Sequence, residues 1–336
     1  MRKTVLSIAA LLCLAQFAKG QVGNVSAVEK SLETTNKDTI AWTHGGVFDL
    51  GANEGFLHNW AAGGELASLS VNGLFSGFLN RLHNYDIWSN NLDLAYGLTY
   101  AYSTSFIPHK TDDRIDFTSK YGIRVTDSTN FYFTSLFDFK SQFTKGFNYT
   151  DSAWQKRPTS KFLSPAYFTL AAGMEYRKGS NISFFLSPIA ARMVLADKYY
   201  TSVTDQGAFG IAYGKTSVFQ LGAYFSGRYS VNIGKKAVFK THLDLYSNYL
   251  AKNTKNDSGV VIKRDNPGNI NVLFDNLLSY KLSSHFNMTL GLTLVYDNNF
   301  PYTMVPASAP NQPPGNNLGW TQINQTFSFG IEYKFH

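Results

Sequence analysis

Between Phe286 and Tyr296 apolar and polar residues take strict turns. Phe286, Met288, Leu290, Leu292, Leu294 and Tyr296 form one row, and Asn287, Thr289, Gly291, Thr293 and Val295 form the other. Successive side chains of an extended strand point to opposite faces, so this stretch predicts a strand with one apolar face and one small or polar face. The same split recurs along the chain. Phe131, Phe133, Phe137 and Phe139 oppose Tyr132, Thr134, Asp138 and Lys140. Ile115, Phe117, Tyr121, Ile123 and Val125 oppose Asp116, Thr118, Lys120 and Arg124. Phe219, Leu221, Ala223, Phe225, Tyr229, Val231 and Ile233 oppose Gln220, Tyr224, Ser226, Arg228, Ser230 and Asn232.

A half-buried strand of a soluble sandwich also alternates. The discriminating features are charges on the face opposite the apolar one and strands of ten or more residues. Soluble strands average about five to six residues, whereas a membrane-crossing strand needs about nine to eleven. Twelve segments qualify: 45–54, 65–82, 86–102, 114–127, 130–147, 166–177, 181–197, 217–233, 237–250, 269–282, 286–296 and 323–335. They predict an all-β fold, a transmembrane antiparallel up-and-down β-barrel of about twelve strands, with ten or fourteen as the alternatives.

The connections support the same map. Short ones fall at His83–Tyr85, Asp127–Thr129, Lys178–Ser180, Gly234–Lys236 and Ser283–His285. Long ones fall at Ser103–Asp113, Asn148–Pro165, Lys198–Thr216, Ala251–Gly268 and Asp297–Gly319. Outer-membrane barrels have short periplasmic turns and longer external loops, which places the long connections outside the cell. Proline, which lacks a ladder donor, is excluded from central strands. Nine of the ten prolines fall in the long connections. The tenth, Pro188, sits where the apolar row shifts from Ile182, Phe184, Leu186 to Ile189, Ala191, Met193, Leu195. One inserted residue is the signature of a β-bulge.

Composition adds an address. Aromatic residues make up 15% and charged residues only 16%, against a usual charged share of about 25%. No run of eighteen apolar residues follows the N-terminus, so no transmembrane helix is expected. Arg2 and Lys3, the apolar stretch Val5–Phe17 and the small residues Ala18 and Gly20 have the layout of a cleaved secretory leader over 1–20. Its removal takes away the only cysteine, Cys13, and three positive charges, leaving +4 of the formal +7. That modest, scattered charge does not call for nucleic acid. Residues 21–43 read as a periplasmic tail or small plug, and 44–336 as the barrel.

Several motifs resemble a known family. They are Asn59-Trp60-Ala61-Ala62-Gly63-Gly64, Asn90-Asn91-Leu92-Asp93-Leu94-Ala95-Tyr96-Gly97, Lys110-Thr111-Asp112-Asp113 and Thr118-Ser119-Lys120-Tyr121-Gly122. Phe185-Leu186-Ser187-Pro188, Asp205-Gln206-Gly207-Ala208-Phe209-Gly210 and Leu243-Asp244-Leu245-Tyr246-Ser247-Asn248-Tyr249-Leu250 extend the match. Together they resemble the domain-of-unknown-function family of Bacteroidota outer-membrane β-barrels. The resemblance implies a fold and a Gram-negative outer-membrane location. It carries no activity to any residue.

The lumen is where chemistry would lie. The inward rows carry nine bases, Lys120, Arg124, Lys140, Arg177, Arg192, Arg228, Lys240, Lys281 and Lys334, against eight acids, Asp49, Asp93, Asp116, Asp138, Glu175, Asp244, Asp275 and Glu332. The expected charge network within them is Asp116, Lys120, Arg124, Asp138, Lys140, Arg228, Lys240, His242 and Asp244. A ring of one sign would select ions. A balanced set predicts ion pairs across a narrow lumen. His242 and Asp244 share the inward face and Ser226 falls on the neighbouring strand, the nearest approach to a nucleophile–base–acid arrangement. No histidines show metal-ligand spacing, and no cofactor motif is present. The charged run Lys110, Asp112, Asp113 and Arg114 reads as a solvated rim of an external loop. The expected function is a structural or accessory barrel of the cell envelope. It would contact outer-membrane lipid, the barrel-assembly machinery during biogenesis and an envelope protein partner. A narrow channel for small solutes is the alternative, and a membrane-embedded hydrolase of lipid or peptide the second.

Overall fold

A computed structural model describes residues 40–56, 67–126, 129–149, 154–179, 181–255, 258–263, 265–283, 286–297, 299 and 321–335. The leader over 1–20, the tail up to residue 39, the Asn59–Gly64 motif and most of the last long connection lie outside these residues. The barrel strands are β1 (Ala41–Phe56), β2 (Ala67–His83), β3 (Asp86–Ala101), β4 (His109–Arg124), β5 (Phe131–Ser141) and β8 (Ala166–Lys178). They continue with β9 (Ile182–Leu195), β10 (Ser217–Ile233), β11 (Ala237–Asn248), β14 (Asn271–Lys281), β15 (Phe286–Tyr296) and β16 (Thr321–Phe335). Two short hairpins stand in the connections: β6 (Gly146–Phe147) with β7 (Pro158–Ser160), and β12 (Thr254–Lys255) with β13 (Val261–Lys263).

The twelve long strands close on themselves in the order β1-β16-β15-β14-β11-β10-β9-β8-β5-β4-β3-β2. Every pairing is antiparallel, so the ring is an up-and-down barrel without a free edge. The barrel begins at Ala41, so Ala41, Trp42 and Thr43 belong to β1 and not to the tail.

Burial runs opposite to that of a soluble protein. Phe133, Leu170, Leu186 and Ile189 are 58–65% exposed, while Glu175, Thr169 and Ser187 are fully enclosed. Outward rows such as Phe327, Phe329 and Ile331 offer a continuous apolar band, and the inward rows bury acids, hydroxyls and lysines. In water such a band would favour association; in lipid it is the stable face. An apolar outside around a polar inside is the arrangement of a transmembrane β-barrel.

Two bulges adjust the rows. At Pro188 β9 holds one residue more than either neighbour: Ala172 and Met174 on β8 face Ile189 and Leu186, and Gly222 and Tyr224 on β10 face Ala190 and Ser187. The enclosed Ser187 hydroxyl lies 2.8 Å from the Ala172 carbonyl and 2.7 Å from the Ile189 carbonyl, its single proton shared between groups that the broken ladder releases. Gly173 makes the turn-in possible, because a side chain there would begin 2.1 Å from the Leu186 carbonyl oxygen. A second bulge lies at Thr111 on β4, between the pairs Gly97–Asp112 and Leu98–Lys110. It lengthens β4 beyond the expected start at 114, and the first long connection shrinks to Tyr102–Pro108.

The seam that closes the ring is the least paired. β1 and β16 share seven register pairs, Gly46–Phe335 to Ala52–Phe329, against sixteen between β1 and β2 and at least ten at every other barrel seam among the described residues. Beyond it the Asn53 amide donates to the Phe327 carbonyl, a side chain standing in for the ladder.

Candidate functional site

Asp116, Asp138 and Asp244 converge on Lys140. Asp116 stands opposite Lys140 across the β4–β5 ladder, and Asp138 lies two residues earlier on the same face of β5. Asp244 reaches in from β11, four places away around the ring. The Lys140 ammonium lies 2.6 Å from Asp244, 3.6 Å from Asp138 and 3.7 Å from Asp116. His242 holds the other oxygen of Asp244 through Nε2 at 2.8 Å. Arg228 enters from β10 and donates to the Thr118 hydroxyl (3.3 Å), which in turn donates to Asp138 (3.3 Å). Five of the nine expected residues therefore form one contiguous group, and Arg228 joins them through Thr118.

Lys120 belongs to a second group. Its ammonium meets Glu175 on β8 at 3.2 Å, and Arg177 meets the same oxygen at 3.0 Å. Ser183 (2.6 Å) and Thr134 (3.1 Å) donate to Glu175 as well. This carboxylate is fully enclosed and fully satisfied, the condition under which a buried charge is tolerated.

Two expected members stand apart. Arg124 points inward near the turn end, but its guanidinium donates to the Tyr132 hydroxyl (2.7 and 3.1 Å) and lies against that ring, with no carboxylate at ion-pair distance among the described residues. Lys240 keeps the inward phase of β11 and is exposed, nearer the turn end than His242 and Asp244. Alternation sets the direction of a side chain and not its depth, which is why both were grouped with the rest.

The run Lys110 to Arg114 is no solvated rim. It lies within β4, and Asp113 is nearly enclosed, accepting from Lys110 (2.7 Å) and from the backbone of Phe143 (2.7 Å) and Thr144 (2.9 Å). Arg114 reaches Asp275 on β14 at 3.1 Å. β4 and β14 are six places apart in a ring of twelve, directly opposite each other. A round barrel of twelve strands, spaced about 4.8 Å apart and tilted about 40°, would be roughly 24 Å across. An arginine and an aspartate end to end fall well short of that, so the barrel is flattened where the pair crosses it. No sequence pattern signals this pair; it depends on the shape of the closed ring.

The lumen is filled unevenly. Tyr132, Leu136, Phe185, Tyr224 and Tyr246 crowd the β5–β11 side together with the charges, and Arg192 stacks on Tyr246 at 3.5 Å. On the wall from β16 through β1 to β3 the positions toward the loop end are small and neutral: Asn53, Ser70, Asn72, Thr99, Gln322 and Asn324, all half-buried or exposed. Deeper on the same strands, Asp49 accepts from the Asn287 amide and Asp93 from the Ser76 hydroxyl. Ser70 and Thr99 hydrogen-bond to each other at 2.7 Å.

At the loop end the β9–β10 connection folds into the mouth. Tyr200, Ala208, Phe209 and Ile211 form a buried apolar cluster with the inward Val194, backed by Tyr167 and Val218. Gly207 and Gly210 flank Phe209 at positive φ (73° and 78°), the conformations that let so tight a loop turn. The Phe209 amide donates to the Asn299 carbonyl of the β15–β16 connection at 2.9 Å. Lys161 of the β5–β8 connection holds Asp197 at 2.5 Å, and the Tyr199 amide donates to Asp197 at 2.9 Å. Both bonds hold the Asp197 carboxyl below the usual carboxylate range, the lysine contributing most. Burial raises the Tyr200 phenol above its ordinary value.

Ser226 faces Asp244 across the β10–β11 ladder, and no hydrogen bond joins it to His242 among the described residues. Asp244 is shared between His242 and Lys140. No group of three metal-ligating side chains occurs among the described residues.

Residues 52–147 match the family described as "Protein of unknown function (DUF3078)". The chain resembles that family. The match takes in β2 to β5 whole, and with them the motifs at Asn90, Lys110 and Thr118, as well as Lys140, Asp116 and Asp138. No curated protein matches the chain. Among solved structures, the translocator domain of the autotransporter NalP from Neisseria meningitidis is 10% identical, with 93% of each chain covered and a TM-score of 0.33. An outer-membrane channel from Pseudomonas putida F1 is 11% identical, covering 87% of this chain and 93% of that one, with a TM-score of 0.32. The outer-membrane expressed OmpT of Vibrio cholerae is 8% identical, covering 90% and 99%, with a TM-score of 0.29. The architecture of this chain is that of an outer-membrane β-barrel, and it rests on its own closed ring and apolar exterior.

Proposed function

We propose that this outer-membrane barrel is a bridged and plugged structural or accessory component of the cell envelope, with its long connections outside. The observation that carries the reading is the Arg114–Asp275 pair between opposite strands. A contact that joins opposite walls leaves little room for free diffusion at that level. The Lys140 group and the β9–β10 plug narrow the passage further. Such a barrel presents its outside to lipid and its loops to an envelope partner. In planar bilayers the purified protein should show no steady open state. A sustained, ohmic conductance would overturn this reading.

One observation favours a narrow channel as the second reading. Toward the loop end, the neutral group Asn53, Ser70, Asn72, Thr99, Gln322 and Asn324 stays half-buried or exposed. Uncharged polar groups of this kind suit small hydrated solutes better than ions.

A further inference from the structure

The β5–β8 and β9–β10 connections form an open cleft of about 310 Å³ at the loop end of the barrel. Lys145, Lys156 and Lys161 line it from one side, and Tyr199 and Tyr200 from the other. In the lumen several bases stand against acids: Lys140 beside three aspartates, Lys120 on Glu175, Arg114 on Asp275. Here the matching fails. Asp197 pairs with Lys161, but Lys145 and Lys156 have no carboxylate partner among the described residues. Among the described residues, three ammonium groups stand around one cleft with a single carboxylate, a local positive field that draws in anions.

The tyrosines say more about the anion. Tyr200 is anchored in the apolar cluster of the plug, and Tyr199 stands nearly perpendicular to it at 5.1 Å, 48% exposed. The cleft therefore has an open aromatic face beside exposed cationic donors. An inorganic anion would use the lysines alone. A ligand with negative groups spaced along a hydroxylated scaffold uses both walls, resting ring faces on Tyr199 and placing its acids on the ammonium groups. We propose that this cleft binds a saccharide bearing carboxylate or phosphate groups. Such a saccharide comes either free or anchored to lipid in the same membrane, and the chemistry recognised is the same. The proposal does not depend on whether the lumen conducts, since the cleft is lined by residues of the connections.

The test uses the full chain purified in detergent and fluorescent trigalacturonate as the probe, with fluorescent maltotriose as the neutral control. Trigalacturonate should bind at low salt and be released at high salt, and maltotriose should not bind. In K145E/K156E, affinity should fall at least about tenfold, since each reversal removes one attraction and adds one repulsion. Heat-modifiable mobility of this variant checks that the barrel is intact, and the milder K145Q/K156Q should show an intermediate loss. In nanodiscs, displacement of the probe by lipopolysaccharide in the same disc assigns the membrane-anchored source. Undiminished probe binding there assigns the free one. Equal binding of maltotriose, equal binding by the folded K145E/K156E, or no binding of trigalacturonate by the parent would overturn the proposal.

Discussion

A single ammonium group, that of Lys140, stands within ion-pair distance of three carboxylates that are almost fully enclosed. Removing it would leave Asp116, Asp138 and Asp244 facing one another, and breaking a buried pair in this way costs about 3–5 kcal/mol. Arg124 offers the contrast, since its loss would remove two hydrogen bonds to one neutral hydroxyl and a ring contact, about 1–2 kcal/mol in all. Lys140→Ala should therefore lower the temperature at which the folded band is lost on gels, clearly more than Arg124→Ala does. Equal shifts would show that the aspartates are satisfied in some other way. Period-two alternation made these side chains readable as inward. It could not rank them by depth, so Lys240 and Arg124 looked equivalent to Lys140. Nor could it show that Arg114, taken for part of a loop rim, crosses to Asp275.

At the level of strands the sequence was more informative, and the bulges show why. Pro188 announced its bulge twice, by forbidding a ladder bond and by shifting the apolar row. The bulge at Thr111 contains no proline and lies in a charged run, so neither signal was present and β4 was read as starting at 114. The hairpins β6–β7 and β12–β13 are too short to show any period. At the Pro188 bulge the decisive neighbour is Gly173, where β8 passes close beneath the kinked β9. Gly173→Ala should force the two strands apart and lower stability by about 1–3 kcal/mol, an overpacking cost. Heat-modifiability and urea unfolding in detergent measure it. Gly234→Ala, at a positive-φ turn residue with open space around it, separates backbone strain from crowding.

For the whole molecule, orientation follows from loop length. Protease on intact cells should cut in the β11–β14 connection, within the segment from Lys252 to Lys263, and spare Lys235 and Lys236 in the β10–β11 turn. Cleavage at the turn lysines on sealed cells would reverse the assignment. The closed ring of twelve was legible because strand count, length and alternating connections all come from local pattern. Its flattening and its plug were not, because both arise from contacts between residues far apart in sequence. The β1–β16 seam belongs to the same class, and it sets the order in which the barrel forms. Every other seam joins strands that are neighbours along the chain, so each can zip from its own hairpin at small loop-closure cost. Gly46 and Phe335 lie 289 positions apart and gain only seven paired residues when they meet. Entropy is greatest and reward least at that step, so it comes last and governs the rate. A nearly complete sheet waits with two open edges until the assembly machinery brings them together, and under stress the ring parts first along this line.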